Sequence, residues 1–410
     1  MLKQINMRTS LLVFFILLSG ISSAINSLKT GTWLGQLYMN DRLSIPFQLK
    51  VDGKKIILVN GTEELLMTQR MKQDSVFLHF PIQDAEVVFQ LSENKNNARG
   101  YWINHNKKTP VSIPITLEWN VDKRFPMLYP TKPIAFIFDG TWEVTFQPGT
   151  KEEEKAVGIF KEGKDTEITG TFLTETGDYR YLAGNKSGLN FSMSTFNGSW
   201  AMLFEAELVN DTIKGRFYSG QSYVSEWIAV KNPEAKLRNE ASLTYVVNDQ
   251  KVKTANMTKL NGASFSLKPY EGKVVVLQIM GTWCPNCLDE VQFMNQLYTQ
   301  YHSYGLEIVA LAYEVGTEGK ATRKKLKSFK KKIGMEYDLV WAGKSSKDVA
   351  SEQFPMLNGI MSFPTTVIMG KDGKVLHVHT GYSGPATGPA HKELTDKIQL
   401  EIELALKLLK

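Results

Sequence analysis

The 410-residue sequence contains only two cysteines, and they stand two residues apart in Gly281-Thr282-Trp283-Cys284-Pro285-Asn286-Cys287. An apolar run, Val274 to Met280, leads into this segment, and a helix-forming run extends from it to Tyr301. The thiols therefore fall at a strand-to-helix junction. Cys284 takes the N-cap and Pro285 the first helical position, where a missing N–H costs nothing. The free backbone N–H groups and the helix dipole favour a thiolate on Cys284. Cys287 follows one turn later on the same face, with Cα atoms roughly 5–6 Å apart, a span that a disulfide bridges. The chemistry such a pair supports is thiol–disulfide exchange. Cys284 attacks a substrate disulfide, and Cys287 then displaces the substrate by attacking the Cys284 sulfur. Zinc is the other common use of two cysteines at this spacing, but it needs four ligands, and no second Cys/His pair is suitably spaced. Neither a metal nor a cofactor is expected.

The helix carrying Cys287 has an apolar stripe of Val291, Met294, Leu297, Tyr298 and Tyr301, and Glu290 lies on it while Asp289 points elsewhere. A carboxyl on the buried face beside a buried thiol has its pKa raised by desolvation, which suits it to take the proton of Cys287. A glutamate snorkelling from the helix edge satisfies the same periodicity.

The wider pattern resembles the TlpA-like branch of thioredoxin-fold thiol–disulfide oxidoreductases, over roughly residues 240–410. The parts that match are Gly272-Lys273-Val274-Val275, Gly281-Thr282-Trp283, the Cys-Pro-Asn-Cys motif, Glu290 three residues after Cys287, Phe363-Pro364-Thr365-Thr366 and Asp372-Gly373-Lys374-Val375. The resemblance implies the proton-transfer role for Glu290 and a cis peptide before Pro364. It also implies client contacts from Trp283, Pro285 and the Phe363 backbone, which would pair with an extended client chain. Gln278 stands where thioredoxin itself carries a buried aspartate. Glutamine cannot titrate, which agrees with giving the proton to Glu290. The resemblance further implies disulfide-containing extracytoplasmic protein clients and a membrane thiol–disulfide electron donor. Reduction of clients is the expected direction. Pro285-Asn286 leaves a net oxidant open, because potentials in this fold span about 150 mV.

Other motifs carry less. His377 and His379 alternate on a strand, but the cysteine spacing does not favour copper delivery. Gly381 to Gly388 is turn-rich and lacks the lysine of a phosphate cradle. The basic run Arg323 to Lys332 has Leu326, Phe329 and Ile333 at helical spacing, so its charges read as the solvated face of a packed helix, with a role in meeting an acidic partner as the lesser alternative.

Composition is that of a globular protein, 42% hydrophobic and 22% charged. The net charge of +6 is too small to imply nucleic acid. Lys3 and Arg8, the apolar run Leu11 to Leu18 and Ser22-Ser23-Ala24 have the order of a cleaved secretory signal at residues 1–24, and the apolar run is too short to span a bilayer. A periplasmic location follows. Two cysteines in one motif, rather than many dispersed ones, mark the disulfide as catalytic.

Residues 25–235 read as short strands separated by turn signals such as Asp52-Gly53 and Asn60-Gly61. Gly31-Thr32-Trp33 is echoed by Gly140-Thr141-Trp142, and Gly100-Tyr101-Trp102 more loosely by Gly215-Arg216-Phe217. Two tandem sandwich or barrel units, residues 25–135 and 136–235, fit this pattern; so do two halves of one larger β-domain. The Gly-Thr-Trp start resembles lipocalin-type barrels that bind apolar ligands, although a tryptophan plugging a barrel end explains it more simply. His79 and His105 lack partners at ligand spacing and read as structural. The β-region is either accessory or a binding module that captures what the redox domain acts on. The polar stretch around Asn232-Pro233 ends it. Residues 236–410 then alternate strands and helices as an α/β domain, entered through a hairpin formed from Leu243–Val247, Lys251–Thr254 and Ser264–Leu267. The fold class is thus multi-domain, all-β followed by a thioredoxin-like α/β domain.

Overall fold

A computed structural model of the chain describes residues 27–106, 109–126 and 136–408. The expected export signal lies outside them, as does Leu409 of the terminal helix. Eight antiparallel strands, from Gly31–Tyr38 to Val111–Trp119, form a closed up-and-down barrel in which the last pairs with the first. A second set, from Gly140–Phe146 to Tyr223–Lys231, closes where Glu154–Glu162 pairs with Glu167–Thr174. The two-residue strand Gly177–Asp178 is left as an appendage.

The sequence echoes fall on equivalent places. Gly31 and Gly140 open the first strand of each barrel at φ 126° and 111°, a region that favours glycine. Two residues on, Trp33 and Trp142 are fully buried, and each indole N–H donates to a carbonyl four residues earlier, Lys29 and Phe138, at 2.9 Å. Gly100 and Gly215 both lie on the seventh barrel strand, where a Cβ would fall 1.9 Å from the Val88 carbonyl oxygen and 2.2 Å from the Trp227 ring.

One end of the first barrel, where its odd-numbered strands finish, faces the rest of the chain. Phe196 of the second barrel enters that end and packs against Phe47, Phe80 and Trp102, with ring centroids 4.9, 5.4 and 5.1 Å away. Asn60 fixes the entry by donating to the Phe196 carbonyl at 2.9 Å. Buried Arg124 bridges the joint, donating to the Val59 carbonyl, to Asn60 Oδ1 at 3.3 Å and to Ser194. Burial pushes its guanidinium down to about 9, against the pull of Glu63. The first barrel is therefore filled by side chains, with Trp33 and Phe196 in its core.

The C-terminal domain is built on a six-stranded sheet in the order Thr258–Lys259, Asp338–Lys344, Leu306–Glu314, Val274–Met280, Thr365–Met369, Val375–Thr380. The central strand Val274–Met280 is buried throughout, as befits a strand covered on both faces. Helices α1 (Pro285–Tyr301), α2 (Lys320–Ile333) and α4 (Pro389–Leu406) contribute to the core on one face, and α3 (Lys347–Gln353) to the core on the other. Helix α2 ends where Gly334 adopts φ 68° and its N–H returns to Lys330 and Lys331.

The expected entry hairpin is not formed. Apart from a tight turn at Lys259–Ala263, and Thr258–Lys259 pairing with Asp338–Lys344, the segment runs alongside residues 353–358. Val247 N–H donates to Met356 at 2.8 Å, and Lys253 N–H to Gln353 at 2.9 Å. Its runs are too short to bury an apolar face against each other, whereas Met257 and Phe265 become buried in the core of the domain.

Candidate functional site

Gly281 brings the chain off the central strand under the Trp283 indole, so closely that a Cβ there would lie 2.3 Å from the ring nitrogen. The loop is held by Glu314, a buried carboxylate at the end of the neighbouring strand. It accepts from Thr282 N–H and Thr282 Oγ1–H, both at 2.7 Å. Trp283 Nε1–H donates to the Tyr313 carbonyl at 2.9 Å, and its ring meets Phe363 edge-on at 5.8 Å.

Cys284 is the N-cap of α1 and Pro285 its first residue. Cys284 Sγ accepts from the Cys287 backbone N–H at 3.4 Å and, as a thiol, donates to the Phe363 carbonyl at 3.5 Å. Both cysteines are free thiols. Cys287 is fully buried, and its thiol is pushed well above the usual range, first by burial and then by the Cys284 sulfur beside it, with a smaller contribution from Glu290. The Phe363–Pro364 peptide is cis.

Glu290 has no exposure at all. Burial pushes its carboxyl up to about 7, despite hydrogen bonds that favour the charged form, from Thr366 Oγ1 at 2.7 Å and Gln278 Nε2 at 2.8 Å. Gln278 Oε1 accepts in turn from Tyr337 OH at 3.0 Å, which fixes the amide's orientation. His379, a register partner of Thr366, is buried against Glu401 at 2.5 Å, and His377 meets the same carboxylate at 3.2 Å. His79 and His105 lie on the first barrel, both facing Glu86 at 3.3 and 3.5 Å.

The structure thus brings Trp283, Cys284, Pro285, Cys287, Glu290, Phe363 and Pro364 into one site. Sequence reasoning missed Tyr337 and Glu314; an acid ending the apolar strand Leu306–Glu314 was a legible signal for the latter. It also missed the β-region's part. The loop between the third and fourth closing strands of the second barrel lies against the dithiol face. Asn286 Nδ2 donates to the Asp178 carbonyl at 3.0 Å, and Arg180 donates to the Pro285 carbonyl at 3.0 Å. Arg180 also pairs with Asp289 on α1 and with Glu63 of the first barrel, so one guanidinium joins all three units. Burial pushes the Asp289 carboxyl up even with Arg180 beside it. Part of the basic face of α2, expected to be solvated, meets the first barrel instead. Lys325 donates to Asn106 at 2.9 Å across a cleft of about 320 Å³.

Residues 247–395 match the family model described as Redoxin. Over 120 residues the chain is 34% identical to the thiol-disulfide oxidoreductase ResA of Bacillus thuringiensis, covering 29% of this chain and 62% of that protein. Over 127 residues it is 35% identical to ResA of Geobacillus kaustophilus, covering 30% and 64%. Among solved structures, a thioredoxin-family thiol:disulfide interchange protein from Chlorobium tepidum aligns over 99% of its length and 39% of this chain, at 21% identity and a TM-score of 0.28. The chain therefore spans less than two thirds of the length of these curated relatives. The C-terminal domain is thioredoxin-like and matches Redoxin over residues 247–395, and two β-barrels precede it.

Proposed function

We propose that the chain is an exported thiol–disulfide oxidoreductase that reduces disulfides in extracytoplasmic proteins through Cys284 and Cys287. The observation that carries this reading is the Cys284 sulfur itself, capping α1 and receiving the Cys287 N–H. A charge there is stabilised by the helix start. The Cys284 thiolate attacks one sulfur of a client disulfide, forming a mixed disulfide and releasing the other client sulfur as a thiolate. Glu290 takes the Cys287 proton. The Cys287 thiolate attacks Cys284 Sγ, breaking the mixed disulfide and releasing the second client thiolate. The chain is left oxidised by two electrons and the client reduced by two. Trp283, Pro285 and Phe363 contact the client, and Pro364 shapes that surface. A thiol donor at the membrane would restore the dithiol.

The test is a single turnover of the reduced full chain with insulin, followed by mass spectrometry under non-reducing conditions. Loss of two hydrogens from the chain, matched by reduced insulin, supports the reading; a chain still in the dithiol form after long incubation with a small aromatic disulfide refutes it. A measured dithiol–disulfide potential near that of thioredoxin, about −270 mV, supports reduction as the direction, and one near that of DsbA, about −120 mV, reverses it.

A further inference from the structure

The loop that leaves the third strand of the second barrel packs beside the dithiol, on Pro285 and Asn286, while Gly177–Asp178 pairs back onto that strand. Tyr179 turns inward and packs among Phe146, Phe172, Phe204 and Phe217, at centroid distances of 5.1–6.1 Å. This anchors the loop so that Thr176, Gly177 and Asp178 project toward the C-terminal domain.

There the backbone of the loop meets a row of donors. Ser362, next to Phe363, places its Oγ 3.1 Å from the Pro364 carbonyl and 3.4 Å from the Thr176 carbonyl, so that one hydroxyl proton serves both. Asn286, between the cysteines, donates to the Asp178 carbonyl. The Asp178 carboxylate accepts from Gly384 N–H at 2.5 Å. The fit is close on both sides. A Cβ on Gly177, which sits at φ 144°, would lie 2.3 Å from Asn286 Nδ2, and one on Gly381 would lie 2.5 Å from the Thr176 carbonyl carbon. At this contact Asn286 is 5% exposed, and Cys284 two residues before it is 4% exposed.

We infer that Thr176-Gly177-Asp178 is a stand-in for the client: the face formed by Asn286, Ser362 and Gly384 is the client-binding surface, and it fits an extended protein segment that must displace this loop. The inference rests on the redox reading of Cys284. The chemistry of the face defines the partner. Its donors take two main-chain carbonyls and one carboxylate, and its closeness at Gly177 admits only a small residue between them. The client is an extended stretch with a small residue followed by an acidic one, near its disulfide. Arg180 acts as the latch, through Asp289 and Glu63.

Two variants of the full chain loosen the loop without touching the thiols. Gly177→Ala drives a methyl into Asn286, and Asp289→Asn removes one arm of the latch while leaving Glu63 on the other. Each is compared with the unaltered chain in single-turnover oxidation by insulin and by dithiobis(nitrobenzoate). Melting temperature and the protection of Cys287 from alkylation check that the variants are folded. The expected result is insulin reduction about tenfold faster in both variants, equivalent to about 1.4 kcal/mol of latch, with the small disulfide changed by less than about twofold. Equal insulin rates in all three chains, with normal reaction of the small disulfide, overturn the stand-in and leave the redox reading intact. Failure of every chain to react with the small disulfide overturns the redox reading, and this inference with it.

Discussion

Replacing Glu290 with glutamine takes one proton site out of a closed pocket while keeping its shape. The amide can still accept from Gln278 and can donate to the Thr366 hydroxyl, so the pocket remains filled and satisfied. With the carboxyl at about 7 in the intact chain, roughly a tenth of it is ionised at pH 6 and nine tenths at pH 8. The second step, attack of Cys287 on the mixed disulfide, should therefore quicken about tenfold across that window and level off above it. Without the carboxyl, Cys287 must lose its proton to water, and burial holds that proton tightly. The step should slow by about 10²-fold at pH 7 and rise steadily with pH, with no plateau. Stability carries a matching signature. The folded chain holds the Glu290 proton more tightly than the unfolded chain, so stability falls as pH rises from the unfolded value near 4.5 to about 7 and is flat beyond. That loss is of order 3 kcal/mol, and the Glu290→Gln melts should differ from the original by this amount while keeping the like contribution of Asp178, which burial and Asp289 push up to about 7. Stopped-flow release of a chromophoric thiol gives the rates, and urea melts at pH 5 and pH 8 give the stabilities. An inflection near pH 7 in the rate of the second step that survives in Glu290→Gln, with rates within about threefold of the original, would refute the proton-transfer role.

Three further perturbations test separate parts of the structure. Cys287→Ala should hold the client as a covalent adduct on Cys284, visible as a one-to-one complex without reductant; unchanged turnover would remove Cys287 from the second step. Glu314→Ala strips the acceptor from both Thr282 groups and should cost about 1–3 kcal/mol in chemical denaturation. It should also alter Trp283 fluorescence, and an unaltered spectrum would show that Glu314 does not position the loop. Phe196→Ala empties the seat between Phe47, Phe80 and Trp102 and should cost about 3–5 kcal/mol; a loss below about 1 kcal/mol would mean that the barrels do not depend on this joint.

What the sequence disclosed and what it concealed divide along physical lines. The dithiol, its helix and Glu290 were legible because the chemistry there is local. A cap, a proline and a carboxylate one turn further on define their own geometry. Helix α2 was legible too, from Leu326, Phe329 and Ile333 at helical spacing. Barrel closure was not, since strand runs specify alternation but not whether the eighth strand returns to the first; Gly31 and Gly140 hinted at repetition without fixing it. The entry segment misled because apolar runs such as Leu243–Val247 look alike whether they pair with each other or with a distant stretch. Asp178, Arg180 and Glu63 were beyond reach. They lie more than a hundred residues from α1, and a lone charge in a turn gives no sign that it will be buried against another domain.

The seating of Phe196 bears on what the first barrel can hold. An oily guest would have to evict that ring to lodge between Phe47 and Trp102, and eviction would shift the same rim of the second barrel from which Arg180 extends toward α1. Storage and sealing are thus competing uses of a single doorway, and in this chain the doorway is shut by its neighbour.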